Sequence, residues 1–316
     1  MRRIRLDPFI VSLLAAALVG SFLPLSDDVI DALGTVSLVG IGLLFFLYGA
    51  RLSTAETLAG LRNLKLQVLV LVTTFVLFPL LGLASQVLEP SILSPNLAAG
   101  VLLLCLVPST VQSCVTYTRM AGGDTASAVV SASVSNIVGV FLTPLLIAWL
   151  MAADADVDAG AILRIVFQLL VPFVLGQLLR PWVGGWVERH DGQLKLYDRG
   201  TIVLVVLVAF ARAAAGGTWS AVSVGDVLVV VLVCAALLAI AMGWCVLTGR
   251  LLRFPQDQRW AILFCGSNKS LASGLRIASV LFPPHTVALI VLPLMIYHQL
   301  QLISGSVIAS RAARNL

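Results

Sequence analysis

Lys269 is the residue whose position in this chain most clearly calls for a chemical explanation. It is the tenth residue of a mostly apolar stretch, 260–281, which is long enough to cross a lipid bilayer. An ammonium group near the middle of a membrane costs about 2.5–3.5 kcal/mol on insertion scales. A lysine stem at that depth is too short to reach water easily, so we expect Lys269 to lie in a polar cavity between helices.

Two groups of small polar residues interrupt apolar stretches, and Lys269 belongs to the second. The first group, 108–113, begins with a proline, which removes a backbone donor and clashes with the preceding turn. The second group, 266–270, begins with a glycine, which permits unwinding. If both helices break there, each leaves a half-helix whose free N–H groups and positive dipole end favour an anion. The candidate anion ligands in the two groups are Pro108, Ser109, Thr110, Gln112, Ser113, Ser267, Asn268, Lys269 and Ser270.

Two further apolar stretches carry polar residues that would flank these breaks. Ser131, Ser135 and Asn136 can share one helix face, and a buried amide needs hydrogen-bond partners. His298 and Gln301 lie three residues apart and can both face inward. We predict His298 and Gln301 as further substrate ligands, although single polar residues in a span often only pack helices together.

The composition is that of a membrane protein. Of the 316 residues, 59% are hydrophobic and 11% are charged, with a mean hydropathy of +1.04, whereas a soluble domain carries about 25% charged residues. We therefore expect one membrane domain and no soluble domain. A net charge of +5 does not indicate nucleic acid as a partner. The five cysteines show no CxxC spacing, so they predict neither a disulfide framework nor a metal site.

Apolar runs of about 20 residues predict ten transmembrane helices in an all-α polytopic membrane protein. We place them at 8–25, 30–51, 65–89, 96–118, 124–151, 160–184, 196–214, 225–249, 259–282 and 287–310. Sixteen of the 20 lysines and arginines then lie on one side of the membrane, and Asp154, Asp156 and Asp158 lie on the other. The positive-inside rule predicts that both termini are cytoplasmic, in a protein of the inner membrane.

Ten helices divide into two halves of five, 1–158 and 159–316. An odd number per half gives the halves opposite orientations, which is the geometry of an inverted repeat. The two polar groups then fall in helices four and nine, and we expect these broken helices to cross. Arg212 and Arg276 are expected to snorkel at the outer ends of their spans. All 15 Asp and Glu residues lie in predicted loops or at span ends, which leaves no carboxylate pair for acid–base catalysis.

Several stretches resemble one known family. They are 46–49 (FLYG), 107–113 (VPSTVQS), 131–136 (SASVSN), 142–144 (LTP), 171–177 (VPFVLGQ), 265–274 (CGSNKSLASG) and 291–302 (VLPLMIYHQLQL). Together they resemble the bile acid:sodium symporter family, which is solute carrier family 10-like, over nearly the whole chain. The last stretch resembles its cotransporter-seven-like branch.

The resemblance implies ten helices in a core and a panel domain, with helices four and nine crossing at the substrate and sodium sites. It also implies that organic anions are taken up with sodium, and no other cofactor. The chain departs from the best-known branch twice: Ser113-Cys114 stands where that branch has Ser-Asn, and Lys269 stands where it has a glutamate that binds both sodium ions. The ion-binding candidates by resemblance are Gln112, Ser113, Ser131, Ser135, Asn136, Asn268 and Ser270.

The leading hypothesis is a secondary active transporter that carries an organic anion, bile-acid-like or another carboxylate or sulfate, by alternating access with sodium. One alternative is sodium-independent or proton-linked transport in which Lys269 replaces a cation. Two other classes are a membrane hydrolase, with Ser267 or Ser270 activated by Lys269, and a channel or sensor. The predicted partners are the small anion, the lipid bilayer and a second copy in a homodimer, and no enzyme activity is predicted.

Overall fold

The computed structural model describes residues 8–23, 25–51, 63–89, 92–151, 159–217, 223–283 and 285–314, and every regular element in those ranges is helical. This agrees with the all-α class predicted from the sequence. The predicted orientation depends in part on charged residues that lie outside the described ranges. They are Arg2, Arg3, Arg5, Arg62, Asp154, Asp156 and Asp158.

Twelve helices account for the described part of the chain. They are α1 (Pro8–Phe22), α2 (Asp27–Arg51), α3 (Leu64–Leu88), α4 (Pro95–Leu106), α5 (Val111–Met120), α6 (Thr125–Leu150), α7 (Ala159–Arg189), α8 (Asp191–Ala215), α9 (Val224–Leu251), α10 (Gln256–Ser267), α11 (Leu271–Leu281) and α12 (Val287–Ala312). Among the described residues, α2, α3, α6, α9 and α12 are each long and apolar enough to cross a membrane, and the bent pair α4–α5 would make a sixth span. The chain is therefore a polytopic α-helical membrane protein.

The first polar group interrupts a helix, as its proline predicts. Helix α4 ends at Leu106 and α5 begins at Val111, and the two helix axes differ in direction by 60°. Val107 has extended backbone angles (φ −81°, ψ 154°), as does Thr110 (φ −95°, ψ 137°). An extended residue before a proline is expected because the proline ring disfavours helical angles there. Pro108 therefore accounts for the position of this break.

The second polar group interrupts another helix in the same manner. Helix α10 ends at Ser267, and Asn268 takes extended backbone angles (φ −83°, ψ 146°) before α11 begins at Leu271. The N–H of Asn268 still donates to the carbonyl of Phe264, at 3.2 Å, which is the last helical hydrogen bond of α10. The three residues 268–270 thus form a second non-helical crossing segment, within the group predicted from its glycine and small polar residues.

Helix α3 contains an irregularity that the sequence analysis did not anticipate. One turn widens into a π-helix over Thr73–Leu77, in which the N–H of Phe78 donates to the carbonyl of Thr73. The following donor is missing because residue 79 is proline. The carbonyl of Thr74 therefore loses both of its usual helical partners and can accept a hydrogen bond from elsewhere.

The helices form two compact units, each assembled from separate parts of the chain. The first unit comprises Met1–Leu52, Ala159–Ser223 and Leu275–Ala288. The second unit comprises Ser53–Asp158, Val224–Gly274 and Leu289–Leu316. Both crossing segments belong to the second unit, so the candidate site is described within it.

In the first unit, both arginines that were expected to snorkel have carboxylate partners. The guanidinium of Arg276 is buried at 3% exposure, lies 3.8 Å from the carboxylate of Asp198 and stacks 4.7 Å from the ring centroid of Tyr48. The snorkelling prediction for Arg276 is therefore wrong, because an ion pair and an aromatic face inside the unit satisfy its charge. Arg212 pairs with Asp31 at 2.8 Å.

Candidate functional site

The two crossing segments of the second unit are joined directly by hydrogen bonds. The N–H of Ser270 donates to the carbonyl of Pro108 at 2.8 Å, and the hydroxyl of Ser109 donates to the carbonyl of Cys265 at 2.7 Å. Each bond pairs a group at one break with a carbonyl at or beside the other. The two broken segments are therefore in contact, and each supplies hydrogen-bond partners to the other.

Small residues allow this close approach. A Cβ on Gly139 of α6 would lie 2.7 Å from the ring of Pro108. A Cβ on Gly266 would lie 2.6 Å from the sulfur of Cys245, and one on Gly274 would collide with Leu294. Helix packing in membranes depends on such small contact residues, because they let backbones meet.

Lys269 is fully buried at the crossing, with 0% of its surface exposed. Its Nζ donates to three main-chain carbonyl oxygens, at 3.1 Å from Thr74, 3.2 Å from Cys105 and 2.9 Å from Val107. The same nitrogen lies 3.9 Å from the ring centroid of Phe78. An ammonium has three donors, so the carbonyls use all of them, and the aromatic face adds a cation–π contact.

These carbonyls are available because the backbone around them is irregular. Cys105 lies in the last turn of α4, where helical carbonyls have no partner within the helix, and Val107 lies in the break itself. The carbonyl of Thr74 is released by the π-helical turn and by Pro79. The charge of Lys269 is thus held among backbone dipoles, whereas the sequence analysis expected it to face the anion.

Gln301 and His298 support the second crossing segment. The side chain of Gln301 accepts from the N–H of Lys269 at 2.7 Å and donates to its carbonyl at 2.9 Å. Its amide nitrogen also lies 2.8 Å from Nδ1 of His298. Gln301 is fully buried and His298 is half-buried. Gln301 therefore fixes the backbone of Lys269, and His298 lies nearer the surface.

Ser135, Asn136 and Ser267 also bind main-chain groups. Ser135 Oγ accepts from the N–H of Ser109 at 3.1 Å, and Asn136 Nδ2 donates to the carbonyl of Ser109 at 2.8 Å. Ser267 Oγ donates to Leu263 of its own helix at 2.6 Å. Ser135 and Asn136 therefore supply hydrogen bonds that the first break lacks, whereas Ser267 bonds within α10.

Among the buried side-chain oxygens of the described structure that have no hydrogen-bond partner, two belong to predicted ion-binding residues. They are Oγ of Ser131, which is 1% exposed, and Oδ1 of Asn268, which is 0% exposed. The amide nitrogen of Asn268 donates to Ser113 Oγ at 3.1 Å and lies 3.5 Å from Cys114 Sγ. Buried polar oxygens normally have a partner, so Ser131 and Asn268 are the best-placed acceptors for a small cation.

The N-terminus of α5 is the accessible part of the crossing. Val111 and Gln112 are exposed and Thr110 is half-buried, and no side chain caps this helix. The start of α11 differs, because Ser270 Oγ accepts from the N–H of Ser273 at 3.2 Å. The positive dipole end of α5 is therefore more accessible to an anion than that of α11.

Most of the groups that surround Lys269 were not predicted from the sequence. They are the carbonyls of Thr74, Cys105 and Val107 and the ring of Phe78. The single sequence signal was Pro79, which marks an irregular turn inside an apolar helix. The other missed residue is Tyr297, whose hydroxyl donates to the carbonyl of Ser267 at 2.7 Å.

Two broken helices that cross inside a polytopic membrane protein define a class, the secondary transporters with discontinuous helices. Comparison with known proteins agrees, because residues 7–314 match the SBF-like CPA transporter family. The chain belongs to this family, which is bile acid:sodium symporter-like, as the resemblance of its motifs predicted.

Three relatives show how far the similarity extends. An uncharacterised protein of Pseudomonas aeruginosa, PA2026, is 44% identical over 98% of this chain and 93% of its own length. YfeH of Escherichia coli K12, which is named as a symporter, is 42% identical over the same shares. Sodium/bile acid cotransporter 7 of Rattus norvegicus is 28% identical over 87% of this chain and 82% of its own length. The protein is a transporter and not an enzyme.

The hydrolase hypothesis also fails on geometry. The three donors of Lys269 Nζ bond to carbonyl oxygens and not to the hydroxyl of Ser267 or Ser270. The Ser267 hydroxyl is bonded within α10, and that of Ser270 donates to Ser273 at 3.0 Å. Among the described residues, neither serine is therefore paired with the amine as a nucleophile.

Proposed function

We propose that this protein is a secondary active transporter that carries an organic anion by alternating access, coupled to a single sodium ion. The observation that carries the proposal is the position of Lys269, whose ammonium is held by three carbonyl oxygens at the crossing of two broken helices. Main-chain carbonyls arranged in this way are also ligands for a small metal cation. Lys269 therefore acts as a cation that is tethered to the protein.

A tethered cation changes the number of ions that the site can hold. Two unit charges at 4 Å repel by roughly 4 kcal/mol at an effective dielectric of 20. A mobile cation placed beside the Lys269 ammonium would therefore bind weakly. The remaining candidate cation ligands are Ser131 and Asn268, each with a buried oxygen that has no partner, and Ser113, which accepts from the Asn268 amide. This arrangement supports one sodium ion in place of the two that the resemblance implies.

The architecture that we propose is an inverted repeat of five plus five helices, 1–158 and 159–316, in the inner membrane with both termini cytoplasmic. The helix breaks support it, because α4–α5 and α10–α11 occupy the fourth predicted span of each half. The two compact units support a division into two moving parts, since each draws helices from both halves. A homodimer remains a further expectation.

The anion itself is proposed to bind at the open N-terminus of α5. Thr110, Val111 and Gln112 are accessible there, and His298 is half-buried in the same unit. We propose a bile-acid-like anion or another carboxylate or sulfate, because the rat relative is named as a sodium/bile acid cotransporter. The positive end of the α5 dipole suits any of these charged groups.

Sodium binding to the purified protein tests the coupling. Thermal stability is measured while choline is replaced by sodium at constant ionic strength, and uptake of labelled taurocholate into proteoliposomes follows the same titration. We expect both to saturate with a Hill coefficient near one. Ser131→Ala should raise the half-saturating sodium concentration about tenfold, the equivalent of about 1.4 kcal/mol.

Ser133→Ala is the matched control, because Ser133 lies two residues along the same helix, on the opposite face, and is half-buried. It should leave the sodium titration unchanged. A Hill coefficient near two would contradict the single-ion proposal. Uptake that does not depend on sodium but follows a proton gradient would favour the second candidate function. That function is a proton-linked cycle in which the fully buried Lys269 releases its proton.

A further inference from the structure

An apolar groove of about 490 Å³ lies in the second unit, apart from the crossing. It is lined by residues of α9, α10 and α12, among them Gly243, Val246, Trp260 and Ile308. Arg250 is the charged residue in its lining and lies in the last turn of α9. The groove therefore has a long apolar part and one charged end.

Gly243 gives the groove its depth. A Cβ built on this glycine would meet no atom within 4 Å, which means that the space above it is open. Val246 and Leu247 border the same space at 39% and 54% exposure. A flexible hydrocarbon chain can follow such a surface, because it needs no directional contacts.

The charged end of the groove is basic beyond Arg250 itself. Lys65 Nζ donates to the carbonyl of Leu252 at 2.7 Å, and Arg253 is exposed in the same turn. Asp257 supplies the opposing charge nearby in the chain. Within the part of the chain that the structure describes, Arg250 forms no ion pair with a carboxylate. Its guanidinium is therefore available to a phosphate.

We propose that this groove binds an anionic phospholipid, with one acyl chain along Gly243 and Val246 and the phosphate against Arg250. Trp260 fits this position, since its ring is amphipathic and prefers the level of the headgroups. An arginine presents paired N–H donors that match phosphate geometry. Because lipid tails are as apolar as the groove, the headgroup provides the preference for one lipid over another.

Native mass spectrometry of the protein in mixed micelles tests this proposal. The probes are phosphatidylglycerol and phosphatidylcholine with identical acyl chains, at equal concentrations. The wild-type protein should retain phosphatidylglycerol about fivefold more than phosphatidylcholine, the preference expected for one arginine near an anionic headgroup. Arg250→Gln should bring the ratio close to one. Gly243→Leu should remove the retained lipid of both kinds, because its side chain fills the groove.

Two control variants separate the groove from general effects. Arg119→Gln removes an exposed basic residue from the last turn of α5, and Gly42→Leu adds the same side chain at another helical glycine with open space. Both should retain lipid as the wild type does, and all variants are compared at equal thermal stability. Equal retention of the two lipids by the wild type would overturn the proposal. So would a dimer that Gly243→Leu converts to monomer, which would assign the groove to a second copy of the chain.

Discussion

Replacement of Lys269 by alanine is the most direct test of the tethered cation. The change removes the ammonium and leaves three buried carbonyls, those of Thr74, Cys105 and Val107, without a donor. Each unsatisfied buried group costs about 1–3 kcal/mol. Part of this cost is offset, because the substitution also removes a lysine whose burial in the membrane costs about 2.5–3.5 kcal/mol.

The net effect on the free energy of unfolding is a loss of about 3 kcal/mol, taking about 2 kcal/mol for each carbonyl. At roughly 2–4 °C for each kcal/mol, the thermal midpoint should fall by about 6–12 °C. Lys195→Ala is the control, because that side chain is 67% exposed and its ion pair with Asp191 is a surface pair. A surface pair contributes at most about 1 kcal/mol, so its midpoint should hardly move.

The variant also makes a specific rescue possible. Removal of the side chain leaves a space bordered by three carbonyl oxygens and the ring of Phe78, which suits a small cation. Methylammonium at ten times its dissociation constant should restore about 1.4 kcal/mol, or about 3–6 °C. The assay is thermal denaturation of the purified Lys269→Ala protein with methylammonium or tetramethylammonium at equal ionic strength.

Tetramethylammonium has no N–H donor, so it should not restore stability. Wild-type protein should respond to neither cation, because its own ammonium occupies the space. The role of Lys269 as a tethered cation is refuted if folded Lys269→Ala melts at the wild-type temperature. It is also refuted if the two cations act alike, since the carbonyls would then have no need of a donor.

Three other predictions follow from the crossing. Gln112→Ala should weaken binding of labelled taurocholate about tenfold or more, by loss of one charge-assisted hydrogen bond, without lowering the melting temperature; unchanged binding would exclude the α5 N-terminus as the site. Gly139→Ala should cost about 1–3 kcal/mol, because its methyl group would press on the Pro108 ring; a wild-type melting curve would show that the break tolerates displacement. Single cysteines at Asp156 and Gly192, in a cysteine-free background, should react with an impermeant thiol reagent from opposite sides of the membrane; labelling from the same side would exclude the inverted repeat.

The positions of the helix breaks could be predicted from the sequence because their causes are local. Pro108 lacks an N–H and restricts the residue before it, so one residue type accounts for the first break. The second break contains Gly266 among small polar residues, which is a weaker but still local signal. The apolar stretches could be recognised in the same way, because hydropathy depends only on local composition.

The partners of Lys269 could not be predicted from the sequence because they are backbone atoms of distant segments. Thr74 is separated from Lys269 by 195 residues, and its carbonyl is available only because a π-helical turn forms. Any residue type presents a carbonyl, so no side-chain pattern marks these ligands. The sequence therefore shows the charge of Lys269 but not the carbonyl oxygens that surround it.

Several residues that were predicted as substrate or ion ligands bond to the backbone in the structure. The sequence could not show this, because it does not reveal which main-chain groups lack a partner. Gln301, Ser135 and Asn136 are polar residues in apolar helices, which the sequence alone reads as candidates for substrate or ion binding. The structure shows that each bonds to main-chain groups at the breaks. A helix that is interrupted inside a membrane has unpaired N–H and C=O groups, and these require partners of their own.

The use of main-chain carbonyls also makes the Lys269 site hard to detect by mutation. Substitution of Thr74, Cys105 or Val107 changes a side chain and leaves the coordinating oxygen in place. Related sequences can therefore vary at all three positions while the cation environment stays the same. Pro79 is different, because any other residue there restores an N–H that could return α3 to regular helical pairing. At Thr74, the oxygen that binds the Lys269 ammonium is thus made available by the missing donor of a proline and not by any side chain.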